Sequence, residues 1–466
     1  IMAIPFFILA GNFLTHGGVA RRMIAFATSL VGHWHGGLAL AGVIACALFA
    51  AVSGSSPATV VAIGSIILPA MVKQGFPQRF GAGVITTSGS LGILIPPSIP
   101  MVIYAVSTNT SVGKLFMAGV VPGILLAMSL GATTWWIARK NGYPRMSPIG
   151  GRSSGAATLS AFSGLVVCAI FTTLPLFIGW LAGTIMRPAV LWHLLSADLG
   201  GFIAASNWLN RANGYLMLIL SVGWLILAGV LFPRRVSIGV LRNEALNVWN
   251  AYWESIWGLL LIIIVIGGIY TGMFTPTEAA AMSAVYAYFI AVFVYRDMGL
   301  RDVPGVLLSS ANMSAMLLYI ITNAVLFSFL MTHENIPQLM ADWLTSQGLG
   351  VITFLLFVNI LLLLAGNVME PSSIILIMAP ILFPVAVKLG VDPIHFGILI
   401  TVNMEVGLCH PPVGLNLYVA SGITKMGITE LTIAVWPWLL TMIVFLVLVT
   451  YVPEISLWLP RRLGMM

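Results

Sequence analysis

Long apolar runs, separated by a few polar or basic residues, set the rhythm of this chain. Residues 1–14 read as the end of a membrane span. Over 15–31, Arg21 and Arg22 stand beside Met23, Ile24 and Phe26, the pattern of an amphipathic helix lying at the interface. Apolar segments follow at 37–53, 57–72, 80–96, 98–107 and 115–138. A helix needs roughly 20 residues to cross the hydrocarbon core. The pieces at 57–72 and 98–107 fall short, and read as part of a re-entrant hairpin and the second half of an interrupted helix. After a basic loop with Arg139, Lys140, Arg145 and Arg152, spans are expected at 160–186 and 214–233, closed by Arg234, Arg235 and Arg242. Two crossings bring both basic clusters to one face, the cytoplasmic one by the positive-inside rule. Further spans are expected at 256–274, 279–295 and 311–331, then a second amphipathic stretch at 332–346. The pattern closes with apolar 351–369, re-entrant 372–388, an interrupted helix at 395–409 and 413–424, and a last span at 433–459 before Arg461 and Arg462. The chain opens at Ile1-Met2-Ala3-Ile4-Pro5 inside an apolar stretch without a charged leader, which reads as the loss of a preceding span.

The proline-broken part of this pattern occurs twice. Pro57, Pro69, Pro77 and Pro96 recur as Pro371, Pro384, Pro393 and Pro411, at a nearly constant offset of about 315 residues. Phe80-Gly81 pairs with Phe396-Gly397, and Val121-Pro122 with Trp436-Pro437. Thr15-His16 pairs with Thr332-His333 and Thr28-Ser29 with Thr345-Ser346, which extends the repeat to the amphipathic stretches. The expected fold is all-α: a polytopic membrane protein with two repeats, re-entrant helical hairpins and discontinuous helices.

Composition agrees. Of 466 residues, 59% are hydrophobic and 7% charged, against about 25% charged in soluble domains. No run of short segments alternates at period two, which excludes a transmembrane β-barrel. The net charge of +7 lies in short clusters between apolar runs, so it is a topology signal and not a nucleic-acid footprint. Cys46, Cys168 and Cys409 lie in or beside apolar runs without metal spacing, and read as small core residues.

Candidate chemistry gathers at the breaks. In Ile95-Pro96-Pro97-Ser98 each proline lacks a donor and clashes with the preceding turn, so the helix opens and carbonyls lose their partners. At membrane depth such backbone is tolerated only inside protein or along a wet cavity. Freed carbonyls are hard oxygen ligands, and half-helix N-termini carry partial positive charge. One break thus suits a small cation and an anionic substrate together, and two related breaks favour a site over a packing kink. The hairpin tips, Ser53-Gly54-Ser55-Ser56-Pro57 and Gly366-Asn367-Val368-Met369-Glu370-Pro371, add side-chain oxygen. Glu370 and Glu405 are the carboxylates of the core motif; Glu370 reads equally as a ligand or as a cap on the helix opened by Pro371. Further polar residues near the breaks are Thr86, Thr87, Ser88, Ser90, Ser107, Thr108, Asn109, Asn403 and Asn416. Thr275-Pro276-Thr277-Glu278 reads as a capping box. His410 reads either as a proton carrier or as a neighbour of the proline break. The sequence has no Walker A lysine motif, zinc motif or catalytic constellation. The reading is a secondary transporter with its site between the repeats.

The motifs are specific enough to carry a resemblance. Ile4-Pro5-Phe6-Phe7-Ile8-Leu9-Ala10-Gly11-Asn12, Ser53-Gly54-Ser55-Ser56, Leu94-Ile95-Pro96-Pro97-Ser98, Gly268-Ile269-Tyr270 and Phe274-Thr275-Pro276-Thr277-Glu278-Ala279 open the set. Ala379-Pro380-Ile381-Leu382-Phe383-Pro384, His395-Phe396-Gly397 and Pro411-Pro412-Val413-Gly414-Leu415-Asn416 complete it. With these the chain resembles the large membrane (M, DctM-like) subunit of TRAP transporters over 1–150 and 245–460. The resemblance implies inverted repeats and an elevator-type transporter of the bacterial inner membrane. It implies sodium-driven import of organic acid anions: C4-dicarboxylates, other carboxylates or sialic acid. It further implies a periplasmic substrate-binding protein and a small Q-type membrane subunit as partners, sodium as coupling ion, and no other cofactor.

Carried onto this sequence, one sodium site falls at Ser53, Gly54, Ser55, Ser56, Gly92 and Pro96, the other at Asn367, Met369, Gly407, His410 and Pro411. Ser88, Ser90, Ser98, Glu370 and Asn416 are assigned to substrate. The chain divides into a scaffold end and arm helix (1–36), transport repeat 1 (37–114), a span and basic loop (115–152), an inserted two-helix hairpin (153–243), scaffold helices and a second arm (244–350), transport repeat 2 (351–432) and a C-terminal span (433–466). Three departures from the family stand out: the first membrane segment reads as missing, 153–243 does not look like the family core, and His410 stands where threonine is common. Proton coupling through His410 or Glu405 is the alternative reading, with an ion channel or a permease driven by a separate ATPase behind it.

Overall fold

The computed structural model describes residues 2–145, 165, 243–270, 273–336, 339, 342, 346, 350–412 and 414–465. The described residues are helical, with no strand among them. Nearly all of the expected two-helix hairpin at 153–243 and about half of the second amphipathic stretch at 332–346 fall outside them.

Helix α1 (Ala3–His16) meets α2 (Val19–Val31) at a 69° bend. Gly18, with φ of 66°, makes the turn. Arg21 and Arg22 of α2 both pair with Asp297, and Arg22 lies 3.7 Å from the centre of the Tyr295 ring. The amphipathic arm is thereby tied to a distant part of the chain.

Repeat 1 begins with a hairpin of α3 (Gly37–Ser53) and α4 (Ser56–Lys73). Next, α5 (Gln78–Ser88) tightens into a 3₁₀ turn at Gly89–Ile93, opens at the prolines, and resumes as α6 (Ile99–Thr108). The α ladder therefore ends at Ser88, earlier than the prolines alone predict. Helix α7 (Val112–Lys140) follows. Next come α8 (Asn243–Ile262), α9 (Pro276–Phe289) and α10 (Val303–His333). The capping box at α9 forms as expected, with Glu278 N donating to Thr275 Oγ1 and Thr275 N to the Glu278 carboxylate.

Repeat 2 rebuilds the same unit. A hairpin of α11 (Val351–Gly366) and α12 (Pro371–Lys388) precedes α13 (Pro393–Cys409), a break at the prolines, and α14 (Leu415–Thr424). The expected last span is instead two helices, α15 (Ile428–Tyr451) and α16 (Glu454–Arg462), because Pro453 cannot continue the ladder.

Among the described residues, seven helices are long and apolar enough to cross a membrane. They include α4 and α12, each 18 residues, slightly longer than the apolar runs because Ser56 and Lys73, and Pro371, join the helices at their ends; Pro69, Pro380 and Pro384 sit inside them. One continuous apolar core links α1, both repeats, α7 and α15. The repeats interlock reciprocally. Helix α4 packs on α14, the second half of the other repeat's broken helix, and α12 packs on α6.

Candidate functional site: two hairpin tips against two helix breaks

Each tip lies against the break of its own repeat, with no room for a side chain between them. A β-carbon at Gly92 would come within 2.7 Å of the Ser55 carbonyl and 2.9 Å of Ser56 N. One at Gly54, whose φ is 61°, would meet the Pro97 carbonyl oxygen at 2.8 Å. In repeat 2, Gly366 and Gly407 face each other, and a β-carbon on either would reach the other's Cα at 3.0–3.1 Å. Glycine at these points is a contact requirement. Both Pro-Pro peptide bonds, Pro96–Pro97 and Pro411–Pro412, are cis.

Helix ends of both polarities meet at these contacts. The C-terminal ends of α11 and α13 meet at Gly366 and Gly407, and the carbonyls of Leu408 and His410 converge on Gly414. Helix C-termini are partially negative and suit a cation. The N-termini of α4, α6 and α14 gather at tip 1: Ser56 bonds Asn416, and a β-carbon at Gly54 would lie 3.7 Å from Ile99 N. Helix N-termini are partially positive and suit an anion.

At tip 1, Ser53 and Ser56 are buried. Ser53 Oγ lies 3.0 Å from Thr59 Oγ1, which donates to the Ser55 carbonyl at 2.8 Å. Ser56 Oγ and the Asn416 side chain bond across the repeats at 2.8–3.0 Å. Asn416 Nδ2 also donates to the Thr86 carbonyl at 3.3 Å. Asn416 therefore bridges the repeats, beyond the substrate role assigned from the family motif. Ser98 caps α6, accepting from Met101 N, while its hydroxyl donates to the Ile93 carbonyl. Ser90 donates to the Thr87 carbonyl at 2.7 Å, and Ser88 Oγ is buried without a partner.

At tip 2, Asn367 Oδ1 lies 2.7 Å from His410 Nδ1, which joins tip to break. Glu370 caps α12: its carboxylate accepts from Ser373 N at 3.2 Å and from Ser372 Oγ at 2.6 Å. The capping alternative for Glu370 is thus realised. Met369 is exposed, and Glu370, His410 and Pro411 are half-buried.

One polar chain was missed. His395 Nδ1 lies 2.8 Å from Ser456 Oγ, and His395 Nε2 3.3 Å from the Thr450 carbonyl. Thr450 Oγ1 donates to Leu446 O, so it accepts from Asn359 Nδ2 at 2.9 Å. Asn403 Nδ2 then donates to both oxygens of Asn359 at 2.9–3.0 Å. The signal lay in single polar residues inside apolar runs, whose partners are distant in sequence.

The profile of the DctM component of tripartite ATP-independent periplasmic transporters matches residues 1–195 and 212–455. The chain belongs to this family. The match takes in most of 153–243, which corrects the view of that stretch as foreign to the family core; only 196–211 lies between its two parts. The chain is 61% identical, across its full length and 88% of the relative, to a C4-dicarboxylate TRAP transporter large permease protein DctM of Rhodobacter capsulatus. It is 46% identical to the protein of that name in Pseudomonas aeruginosa, over 100% of this chain and 87% of that one. An isethionate TRAP transporter permease protein DctMQ of Oleidesulfovibrio alaskensis is 35% identical over 98% of this chain and 57% of its own length. This DctM chain is accordingly a multi-pass membrane transport protein and not an enzyme.

Proposed function

We propose that this DctM-family chain is the membrane subunit of a sodium-coupled secondary transporter that imports C4-dicarboxylate anions across the bacterial inner membrane. The observation that carries the reading is the pair of tips seated on the pair of breaks. Each seam brings together backbone and side-chain oxygens that suit a hard cation, hydroxyls at tip 1 and an amide and a carboxylate at tip 2. The N-termini gathered at Ser56 and Asn416 offer a partially positive place for a carboxylate. Cations bound at both seams hold the tips on the breaks and lower the cost of bringing an anion into the membrane. The substrate class follows the name of the Rhodobacter relative.

The reciprocal packing of α4 on α14 and α12 on α6 supports repeats of inverted topology that move as one body against the remaining helices in an elevator. A small Q-type subunit and a periplasmic binding protein complete the assembly; the fused DctMQ relative supports the first.

The test is uptake by the reconstituted three-component system, omitting sodium, the small subunit and the binding protein in turn. Each omission is expected to abolish uptake. Ser56→Ala and Glu370→Ala are expected to weaken sodium activation, and Arg145→Ala to leave it unchanged. Uptake driven by a proton gradient in the absence of sodium would overturn the coupling.

A further inference from the structure

Helix α13 carries a carboxylate deep in the molecule. Glu405 is fully buried, and neither of its oxygens has a hydrogen-bond partner. None of the ion pairs among the described residues includes it. Capping, which accounts for Glu278 and Glu370, does not apply, because Glu405 lies inside a continuous helix. An uncompensated carboxylate in such a place is costly, so the group either takes up a proton or faces a cation.

The direction of the side chain follows from its neighbours along the helix. Asn403 and Gly407, two residues to either side, both face α11, through Asn359 and Gly366. Glu405 therefore points to the opposite face, away from tip 2. Cys409, one turn further on that opposite face, meets the Thr86 carbonyl at 3.4 Å and lies beside Ser90. This side of α13 packs on the 3₁₀ turn Gly89–Ile93 of repeat 1.

Three of the hydroxyls in the stretch Thr86–Ser90 have turned their hydrogens inward, and only Ser88 Oγ is left without a partner. Thr86 donates to the Ala82 carbonyl at 2.7 Å, Thr87 to Gly83 at 2.8 Å and Ser90 to Thr87 at 2.7 Å. Outward they present lone pairs, which repel a carboxylate unless a cation lies between. The offset that pairs Pro96 with Pro411 also pairs Ser90 with Glu405. Ser90 and Glu405 thus hold equivalent positions of the two repeats, and both lie near Cys409.

We propose that Glu405 and Ser90 hold a monovalent metal cation at this seam, a site separate from both hairpin tips. The proposal rests on the sodium-coupled reading and adds a third ion to it. A charge bound there neutralises the carboxylate and ties repeat 1 to repeat 2 whichever side of the membrane the tips face.

Bound radioactive sodium is counted on the full chain purified in detergent, for the wild type, Glu405→Gln, Glu405→Asp and Ser56→Ala. Glu405→Gln is expected to lose one sodium per chain while keeping the sodium at the tips. Glu405→Asp is expected to keep the full count at weaker affinity. A Glu405→Gln protein that binds as many ions as wild type, while Ser56→Ala binds fewer, overturns this site and leaves the coupling reading intact. Absence of sodium binding to the wild type overturns both. Infrared spectra of the wild type give a readout that needs no variant: a protonated-carboxyl band that saturating sodium does not remove overturns the proposal.

Discussion

The two hairpin tips share a backbone plan and differ in what surrounds them. Tip 1 is closed: Ser53 and Ser56 are 2% and 0% exposed, and a β-carbon on Gly11 of α1 would touch the Ser53 carbonyl oxygen at 2.9 Å. Tip 2 is open: Val368 and Met369 are 71% and 40% exposed. Tip 1 uses neutral hydroxyls and bonds across to the other repeat, whereas tip 2 uses a carboxylate and bonds within its own repeat through Asn367 and His410. The lesson is that repetition in sequence copies backbone breaks and not their environments. Tip 1 is built as a fixed seam, tip 2 as the accessible end.

The sharpest way to break this comparison is to wedge the tips off their breaks. Gly92→Val drives a side chain into the Ser55 backbone, and Gly407→Val into Gly366. Each is expected to lower reconstituted uptake by about a hundredfold or more, the scale on which small misplacements act. Gly131→Ala, with nothing within 4 Å, is expected to leave uptake unchanged. Equal uptake by all three would show that the close contacts are incidental.

Next in size is the loss of the bridge. Asn416→Ala leaves Ser56 Oγ without its partner in the core, at a cost of about 1–3 kcal/mol. The matching change at the open tip, Asn367→Ala, leaves a group that water can reach and is expected to cost less than about 1 kcal/mol. Thermal unfolding in detergent compares the two, and a larger shift for Asn367→Ala would reverse the assignment of closed and open tips.

A smaller effect is expected at Glu370. Glu370→Gln keeps an acceptor for Ser373 N and removes the charge at the α12 N-terminus, worth about 0.3–1 kcal/mol. The difference should shrink in high salt, which unfolding at two ionic strengths can measure. Smallest is the exposed pair Arg79–Glu430, whose side chains are 66% and 39% exposed. Arg79→Ala should shift stability by no more than about 1 kcal/mol.

Much of the site was legible in the sequence because its cause is local. A Pro-Pro step opens a helix wherever it falls, and Ser or Glu before Pro57 or Pro371 starts a new one. Both breaks, both tips and the Thr275 capping box stood where those residues put them. The pairings were not legible. Nothing local joins Ser56 to Asn416, Asn359 to Asn403, or His395 to Ser456. The break at Pro453 was passed over because apolar residues on both sides of it read as one run.

Apolar runs, proline steps and their recurrence were enough to determine the membrane setting, the two interrupted helices and the two hairpins, since each follows from solvation and backbone sterics within a few residues. Only the tertiary structure decided which oxygen meets which: that α4 crosses to α14, that one tip closes and the other opens, and that Glu405 is left without a donor. Those outcomes depend on how helices distant in sequence pack around a shared core, and helix periodicity constrains the face a residue takes but not the neighbour it finds there.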